Sequence, residues 1–155
     1  MKKLTMFVFA LSLGLSVFAS SGWMTDMDKA MKLSAKSGKP ILADFSGSDW
    51  CGWCIRLDKE VFSKKIFKDF AKENLILVLV DFPNRKAIAA KLKKQNKALA
   101  VKYKVRGYPT VLLLDSKGKV LLKTGYRRGG PQKYVDSLKS KMPAKKATKA
   151  TKTKK

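Results

Sequence analysis

Residues 50–54 read Trp50-Cys51-Gly52-Trp53-Cys54 and contain both cysteines of the chain. The short apolar run Ile41–Phe45 precedes this motif and suits a buried strand. After the motif, apolar residues recur at helical spacing from Ile55 to Phe62. We therefore predict that the Cys-x-x-Cys motif follows a buried strand and lies at the amino-terminal end of a helix.

That position suits a cysteine pair that exchanges disulfides. A thiol attacks a disulfide only as the thiolate, and a helix amino terminus stabilises a thiolate through unpaired N–H groups and the positive end of its dipole. Cys51 is placed to receive this stabilisation. Cys54 lies one helical turn later on nearly the same face, so it can form a disulfide with Cys51 and resolve a mixed disulfide formed by Cys51.

Other uses of a Cys-x-x-Cys pair find less support. A zinc site needs four ligands, and the chain has no other cysteine and no histidine. Haem attachment requires histidine after the second cysteine, where Ile55 stands. A purely structural disulfide would close a very small loop, in which the entropic stabilisation is slight. We therefore predict no metal and no cofactor besides the redox-active Cys51–Cys54 disulfide itself.

The rest of the chain alternates helical and strand patterns, which predicts an α/β fold with a mixed sheet covered by helices on both faces. The apolar run Leu75–Val80 is typical of a strand buried on both faces, which implies parallel pairing. The predicted strands are Ile41–Phe45, Leu75–Val80, Val111–Leu114 and Val120–Leu122, the last two forming a hairpin. The predicted helices are 26–37, 52–62, 63–72, one or two within 84–103 that are broken near Gln95 and Asn96, and one that opens at Gly129.

The amino-terminal residues predict export. Two lysines follow Met1, and the uncharged stretch Leu4–Phe18 then leads to Ala19, the pattern of a secretory signal peptide cleaved near Ala19. A retained membrane anchor is the alternative, but the stretch is shorter than the roughly 20 residues that span a bilayer. We therefore expect a signal peptide at 1–19 and a periplasmic or secreted protein. A single close cysteine pair in an exported chain favours a working disulfide.

The chain carries a formal charge of +24, from 35 basic and 11 acidic residues. Such a chain is attracted to polyanions, namely nucleic acid, anionic lipid or acidic envelope polymers. Export makes nucleic acid the least expected partner. Residues 143–155 are rich in lysine, alanine and threonine, which predicts a disordered basic tail that binds an anionic envelope surface.

Four separated motifs carry a resemblance to a known family. They are Asp44-Phe45, residues 50–54, the run 106–110 (Arg-Gly-Tyr-Pro-Thr) and Gly125. In this order they resemble the thioredoxin superfamily, and more narrowly small exported bacterial thioredoxin-like proteins. The chain is similar, more distantly, to the thiol-reducing carboxy-terminal domain of thiol:disulfide interchange proteins. The resemblance covers roughly residues 41–138 and implies a thioredoxin fold, which we assign to residues 20–142.

The resemblance also implies roles for single residues. Pro109 would follow a cis peptide bond facing the disulfide, and the backbone of Tyr108 would then pair with an extended substrate peptide beside Cys51. An ordinary trans proline that starts a strand is the alternative. Asp44 would be the buried acid that assists proton transfer at Cys54, with a pKa raised by burial.

Three further residues near the cysteines have open interpretations. Trp50 packs beside the site or contacts substrate. Trp53 is expected to be partly exposed, where it contacts apolar parts of a substrate or shields Cys54. Asp49 is expected to be a solvated loop acid or a cap for the following helix. Gly52 belongs to the loop between the cysteines.

The sequence departs from ordinary thioredoxins at several of these positions. Asp44 lies seven residues before Cys51, one more than usual, so the loop from Ser46 to Asp49 is longer. The lysine that accompanies the buried acid is replaced near Leu77. Trp53 stands where thioredoxins have proline, so their redox potential does not carry over.

We therefore predict an enzyme that exchanges the Cys51–Cys54 dithiol and disulfide with exported proteins, as a reductant or an isomerase-like partner. An upstream partner such as a membrane thiol reductase would be required. The alternative is a binding module with idle cysteines that the tail, residues 143–155, tethers to an anionic envelope.

Overall fold

The computed structural model describes residues 22–143. The predicted signal peptide, 1–19, and residues 144–155 of the predicted tail lie outside the described residues. The strands are β1 (Trp23–Met24), β2 (Ile41–Ser46), β3 (Ile76–Asp81), β4 (Thr110–Leu114) and β5 (Val120–Thr124). The helices are α1 (Met27–Ser37), α2 (Gly52–Leu57), α3 (Lys65–Asn74), α4 (Ala90–Lys102) and α5 (Gly130–Lys139), and a π-helical turn, Asp58–Phe62, continues α2.

The strands form a mixed sheet in the order β1-β3-β2-β4-β5. Strands β1, β3 and β2 are parallel, whereas β4 is antiparallel to both β2 and β5. The predicted mixed sheet and its hairpin are therefore confirmed. The edge strand β1 was not predicted, because two residues are too few to show a period in sequence.

Helices cover both faces of this sheet. The side chains of β2 alternate between the two faces, so they show which helices cover each face. Leu42 packs with residues of α3, α5 and the π-helical turn, whereas Phe45 packs with residues of α1 and α4. The predicted strand of residues 41–45 is buried along its whole length. The motif that follows β2 therefore starts from a rigid, fully packed strand.

The prediction that β3 is buried on both faces is wrong. Val78 and Val80 are buried, but Leu77 and Leu79 are only partly buried. Strand β3 is bordered on one side by the two-residue strand β1. Leu77 and Leu79 line a cleft of about 890 Å³ at this end of the sheet, so one face of β3 is incompletely covered.

The predicted break near Gln95 and Asn96 is also absent, and α4 runs unbroken through both residues. Long-range hydrogen bonds satisfy their amides. Asn96 Nδ2 donates to the Asp81 carbonyl at 2.8 Å, and the Met27 N–H donates to Gln95 Oε1 at 3.0 Å. These amides therefore tie α4 to the end of β3 and to the start of α1.

The helix after the cysteine motif is formed by α2 and the π-helical turn. Leu57, Val61 and Phe62 are buried, as their spacing predicts. Ile55 was expected on the same inward face, but its side chain is 49% exposed. The reason is that Cys54 and Leu57 define the inward face, and Ile55 lies about 100° further round the helix from Cys54.

Candidate active site

Cys51 and Cys54 form a disulfide at the start of α2, with their Cα atoms 5.2 Å apart. Cys51 is the N-cap residue of α2, and its sulfur accepts a hydrogen bond from the Cys54 N–H at 3.2 Å. The predicted position of the motif is therefore confirmed, and a helix N–H group points at the Cys51 sulfur. Both residues are nearly buried, Cys51 being 7% exposed and Cys54 4%.

The loop that leads into the disulfide is fixed by Ser48 and Asp49. The backbone N–H and hydroxyl of Ser48 donate to the Asp81 carboxylate at 3.0 and 2.6 Å. The Asp49 carboxylate accepts the backbone N–H groups of residues 84, 85 and 86 at 2.7–3.1 Å. These hydrogen bonds lower the pKa of Asp49. The loop is one residue longer than in ordinary thioredoxins, and Asp49 anchors it to the segment after β3.

Of the two roles expected for Asp49, the structure excludes the helix cap and adds a further role to the solvated loop acid. It is not simply a solvated acid, because it organises a segment 35 to 37 residues away. It is not the cap of α2, because Cys51 occupies the N-cap position. The sequence holds no local signal for this contact, since both partners lie in irregular segments.

Trp50 lies over Gly47 and reaches the end of β3. A Cβ atom at position 47 would lie 2.4 Å from the indole ring, so this approach requires glycine. The indole Nε1 donates to the Phe82 carbonyl at 2.7 Å, and the ring meets Tyr108 edge to face at 5.9 Å. Trp50 is nevertheless 43% exposed. It therefore packs on one side and presents its other side to solvent.

The turn before β4 lies beside Trp50. The Tyr108–Pro109 peptide bond is cis, which is the isomer that the resemblance implies. Tyr108 also packs against Phe82, with ring centroids 5.1 Å apart. A Cβ atom at position 125 would lie 2.7 Å from the Pro109 carbonyl oxygen, so Gly125 allows the end of β5 to approach this turn.

Trp53 belongs to a second network, formed with side chains of α2, the π-helical turn and the segment after β5. Its ring packs on Tyr126 at 5.1 Å, and the Arg56 guanidinium lies over both rings at 5.5 and 5.4 Å. Glu60 accepts hydrogen bonds from Arg56 at 2.7 Å and from the Tyr126 hydroxyl at 2.6 Å, which lower the pKa of Glu60. Trp53 is 53% exposed, as predicted.

Sequence reasoning missed this network. The Arg56 and Glu60 side chains stand four residues apart on one helical surface, and this spacing was an available signal. Tyr126 lies 66 residues from Glu60 and could not have been paired with it from local pattern.

Asp44 is a buried carboxyl that lines the same 890 Å³ cleft as Cys54 and Asp58. Burial raises its pKa from the ordinary 3.8 to about 7, and the charges of Asp58 and Asp81 add to the shift. Its partner on β3 is Leu79, while Leu77 pairs with Leu42. The apolar residue directly beside Asp44 is therefore Leu79. It lies two positions beyond Leu77, near which we expected the thioredoxin lysine to be replaced.

A second buried polar group lies near Asp44. Tyr134 was predicted only as a core residue of α5, and it is buried. Within residues 22–143, Asp44 Oδ1 and the Tyr134 hydroxyl are the buried side-chain atoms without a hydrogen-bond partner. Burial raises the pKa of Tyr134 strongly, and the charge of Asp44 raises it further. The acid that shares a cleft with Cys54 is thus held in a poorly solvated environment.

Gly52 has no steric role that the structure reveals. It is exposed at the first position of α2, and a Cβ atom there would meet no other group within 4 Å. In the described part of the chain, no group of three or more cysteine, aspartate or glutamate side chains is arranged to hold a metal ion.

A disulfide at the start of a helix that follows the buried central strand of a mixed sheet is the arrangement of a thiol–disulfide oxidoreductase. Residues 27–139 match the family model of the thioredoxin-like domain, and the chain belongs to this family. The predicted thioredoxin fold and superfamily are confirmed.

Curated relatives agree with this assignment. The chain is 38% identical over 112 residues to the disulfide bond reductase DsbH of Chlamydia pneumoniae, an alignment that covers 72% of this chain and 68% of that protein. It is 29% identical over 103 residues to the thioredoxin-related protein DsbJ of the same organism, covering 66% of this chain and 30% of DsbJ.

Solved structures show the same fold. A structure titled DsbH oxidoreductase superposes with a TM-score of 0.75 at 33% identity and covers 88% of this chain and 94% of that chain. The oxidised carboxy-terminal domain of DsbD from Neisseria meningitidis superposes with a TM-score of 0.55 at 19% identity, covering 74% and 92%. Among residues 22–143, no helix combines the length and apolar character needed to cross a membrane.

Proposed function

We propose that this oxidoreductase works as a reductant of disulfides in exported proteins. The observation that supports this direction most directly is the 38% identity to a protein named as a disulfide bond reductase. The hydrogen bond from the Cys54 N–H to the Cys51 sulfur supports Cys51 as the attacking thiolate, because the same group would stabilise a charged sulfur.

The proposed reaction transfers two electrons to the substrate. The Cys51 thiolate attacks one sulfur of a substrate disulfide, which forms a mixed disulfide and releases the other substrate sulfur as a thiolate. Cys54 then loses its proton and attacks the Cys51 sulfur, which breaks the mixed disulfide and releases the second substrate thiolate. The Cys51–Cys54 disulfide remains and must be reduced again by a dithiol partner, for which a membrane thiol reductase is the proposed class.

Asp44 is the proposed acceptor of the Cys54 proton. Both residues line one cleft, and the pKa of the acid lies at about 7, close to the pH at which such a base is most useful. Trp50, Trp53, Tyr108 and Pro109 would form the substrate-binding surface around the disulfide. Their partial exposure supports this role, since an incoming peptide could cover them.

Export and a periplasmic or secreted location belong to the same proposal. Its support is the uncharged stretch Leu4–Phe18 followed by Ala19. We expect the chain expressed in a bacterium to be recovered from the periplasm with a new amino terminus near residue 20, as read by mass spectrometry. Recovery of the uncleaved chain from the membrane would instead support the retained anchor.

The direction of electron flow is tested by the equilibrium redox potential of the Cys51–Cys54 pair against glutathione. We expect a value nearer the roughly −270 mV of thioredoxin than the roughly −120 mV of strongly oxidising disulfide donors. The reduced protein should also precipitate insulin by cleaving its disulfides. A potential near the oxidising limit, together with no insulin reduction, would reverse the proposed direction.

A further inference from the structure

Two clefts meet at Tyr108, next to the loop that carries the disulfide. The first, which we call the Trp50 cleft, has a volume of about 490 Å³ and apolar walls that include Trp50, Phe82 and Ile88. The second, the Pro109 cleft, has a volume of about 560 Å³ and includes Gly107 and Pro109. Tyr108 contributes to both. A peptide crossing Tyr108 would therefore occupy both clefts and contact Trp50, the residue before Cys51.

Cations surround both clefts. Those of the Trp50 cleft are Lys86, Lys93 and Lys97, and those of the Pro109 cleft are Lys104, Arg106 and Lys123. Within residues 22–143 the ion pairs are Arg56–Glu60 and Lys65–Asp69, so none of the six cations is neutralised by a carboxylate there. The acid in the walls of these clefts is Asp81, whose carboxylate already accepts two hydrogen bonds from Ser48.

The position of this charge is fixed by the fold. Asp49 accepts the backbone N–H groups of residues 84–86 and so holds Lys86 beside the disulfide loop. Lys93 and Lys97 lie one turn apart on α4, which Asn96 ties to the end of β3. The positive surface is therefore built on anchored elements.

In the network around Trp53, one cation is compensated. There the aromatic rings of Trp53 and Tyr126 carry Arg56, and Arg56 is paired with Glu60. The cations that line the Trp50 and Pro109 clefts, in contrast, form no ion pair within residues 22–143. Electrostatic complementarity of this kind chooses partners and raises their association rate.

We propose that the Trp50 and Pro109 clefts together bind an acidic, extended segment of the substrate protein next to its reducible disulfide. This inference rests on the proposed function and names its substrate class, namely disulfides flanked by aspartate or glutamate. A protein segment is favoured over a membrane surface because the cations of the Trp50 cleft rim a concave surface with apolar walls. Carboxylates of the segment would face the lysines, and its apolar side chains would contact Trp50 and Tyr108.

The test compares two small disulfide-bonded peptides that differ only in three residues beside one cysteine, glutamate in one and glutamine in the other. The second-order rate constant for oxidation of the reduced full chain is measured with each peptide, at low and high salt. We expect the glutamate peptide to react about tenfold faster at low salt, and the preference to fall to about twofold at 0.5 M salt because salt screens exposed charges.

The decisive variant is Lys86→Gln/Lys93→Gln/Lys97→Gln, which should lose most of this preference, measured as the ratio of the two peptide rates. The matched control is Lys32→Gln/Lys36→Gln/Lys117→Gln, three exposed lysines that line neither cleft. The control has the same net charge as the cleft variant and should keep the preference.

Equal rates for the two peptides in the unaltered chain, or an equal loss in both variants, would overturn the inference while leaving the proposed function intact. If neither peptide oxidised the reduced protein, the proposed function itself would fail, and this inference with it. Binding to phosphatidylglycerol vesicles is measured in parallel. A cleft variant that loses vesicle binding but keeps the peptide preference would assign the surface to a membrane instead.

Discussion

Replacing Cys54 with serine is expected to convert the enzyme into a trap for its substrates. Cys51 would still attack a substrate disulfide, but no second thiol would be present to break the resulting mixed disulfide. Turnover should be abolished, and covalent adducts should accumulate that migrate as larger species and disappear when reductant is added. Non-reducing gel electrophoresis and mass spectrometry of the adducts measure this effect.

Cys51→Ser is the matched control, because it also removes one sulfur and the disulfide. It should be equally inactive but should form few adducts, since Cys54 lies within the first turn of α2 and the helix N–H that would stabilise a thiolate faces the side chain at position 51. Alkylation of the reduced protein over a pH series should label Cys51 first, with a midpoint below the roughly 8.5 of a free cysteine. Preferential labelling of Cys54, or equal trapping by both variants, would show that the nucleophile is wrongly assigned.

Replacing Asp44 with asparagine is expected to remove a large pH dependence of stability. The pKa of Asp44 is raised by burial from 3.8 to about 7 with the disulfide closed. The folded state therefore holds this proton more tightly than the unfolded chain. The stabilisation that comes from protonated Asp44 is complete below pH 3.8 and is lost as the pH rises through about 7.

The size of this effect follows from the difference between the two pKa values. It corresponds to roughly 4 kcal/mol over the whole interval, of which about 2 to 3 kcal/mol falls between pH 5 and pH 8. The free energy of unfolding of the oxidised protein should fall by that amount relative to Asp44→Asn when the pH is raised from 5 to 8. Urea titrations across this range measure it.

The exposed Asp28 provides a control for this experiment. Asp28→Asn should follow the pH profile of the unaltered protein, because its carboxylate is exposed in the first turn of α1. Asp44→Asn should also release the mixed disulfide more slowly and lose any inflection near pH 7 in that step. Stability profiles of the unaltered protein and Asp44→Asn that run parallel from pH 5 to pH 8 would show that Asp44 does not titrate there.

The framework of the site could be predicted because it depends on local patterns. The apolar run before the motif, the helical spacing after it and the separation of Cys51 from Cys54 each fall within a few residues. These features placed the disulfide at a helix start on a buried strand. The resemblance added the cis bond before Pro109 and the burial of Asp44, both of which the structure contains.

The errors have a common physical origin. Gln95 and Asn96 were expected to break a helix, because polar amides compete locally with the backbone, but partners from distant elements satisfy them. Strand β3 was expected to be buried on both faces, because its composition is uniformly apolar. How much of an apolar strand is covered depends on how the helices pack over its face, and beside α3 a cleft lined by Leu77 and Leu79 stays open.

The sequence alone therefore determined the class of chemistry, the order of most elements and the position of the disulfide, because these depend on residue types and short spacings. Only the tertiary structure decided what surrounds that pair. Asp49 anchors the segment at residues 84–86, Glu60 accepts a hydrogen bond from Tyr126, and Tyr108 joins two basic clefts. Each of these contacts joins residues far apart in the chain, and a local pattern holds no information about which distant group the fold will bring to a given side chain.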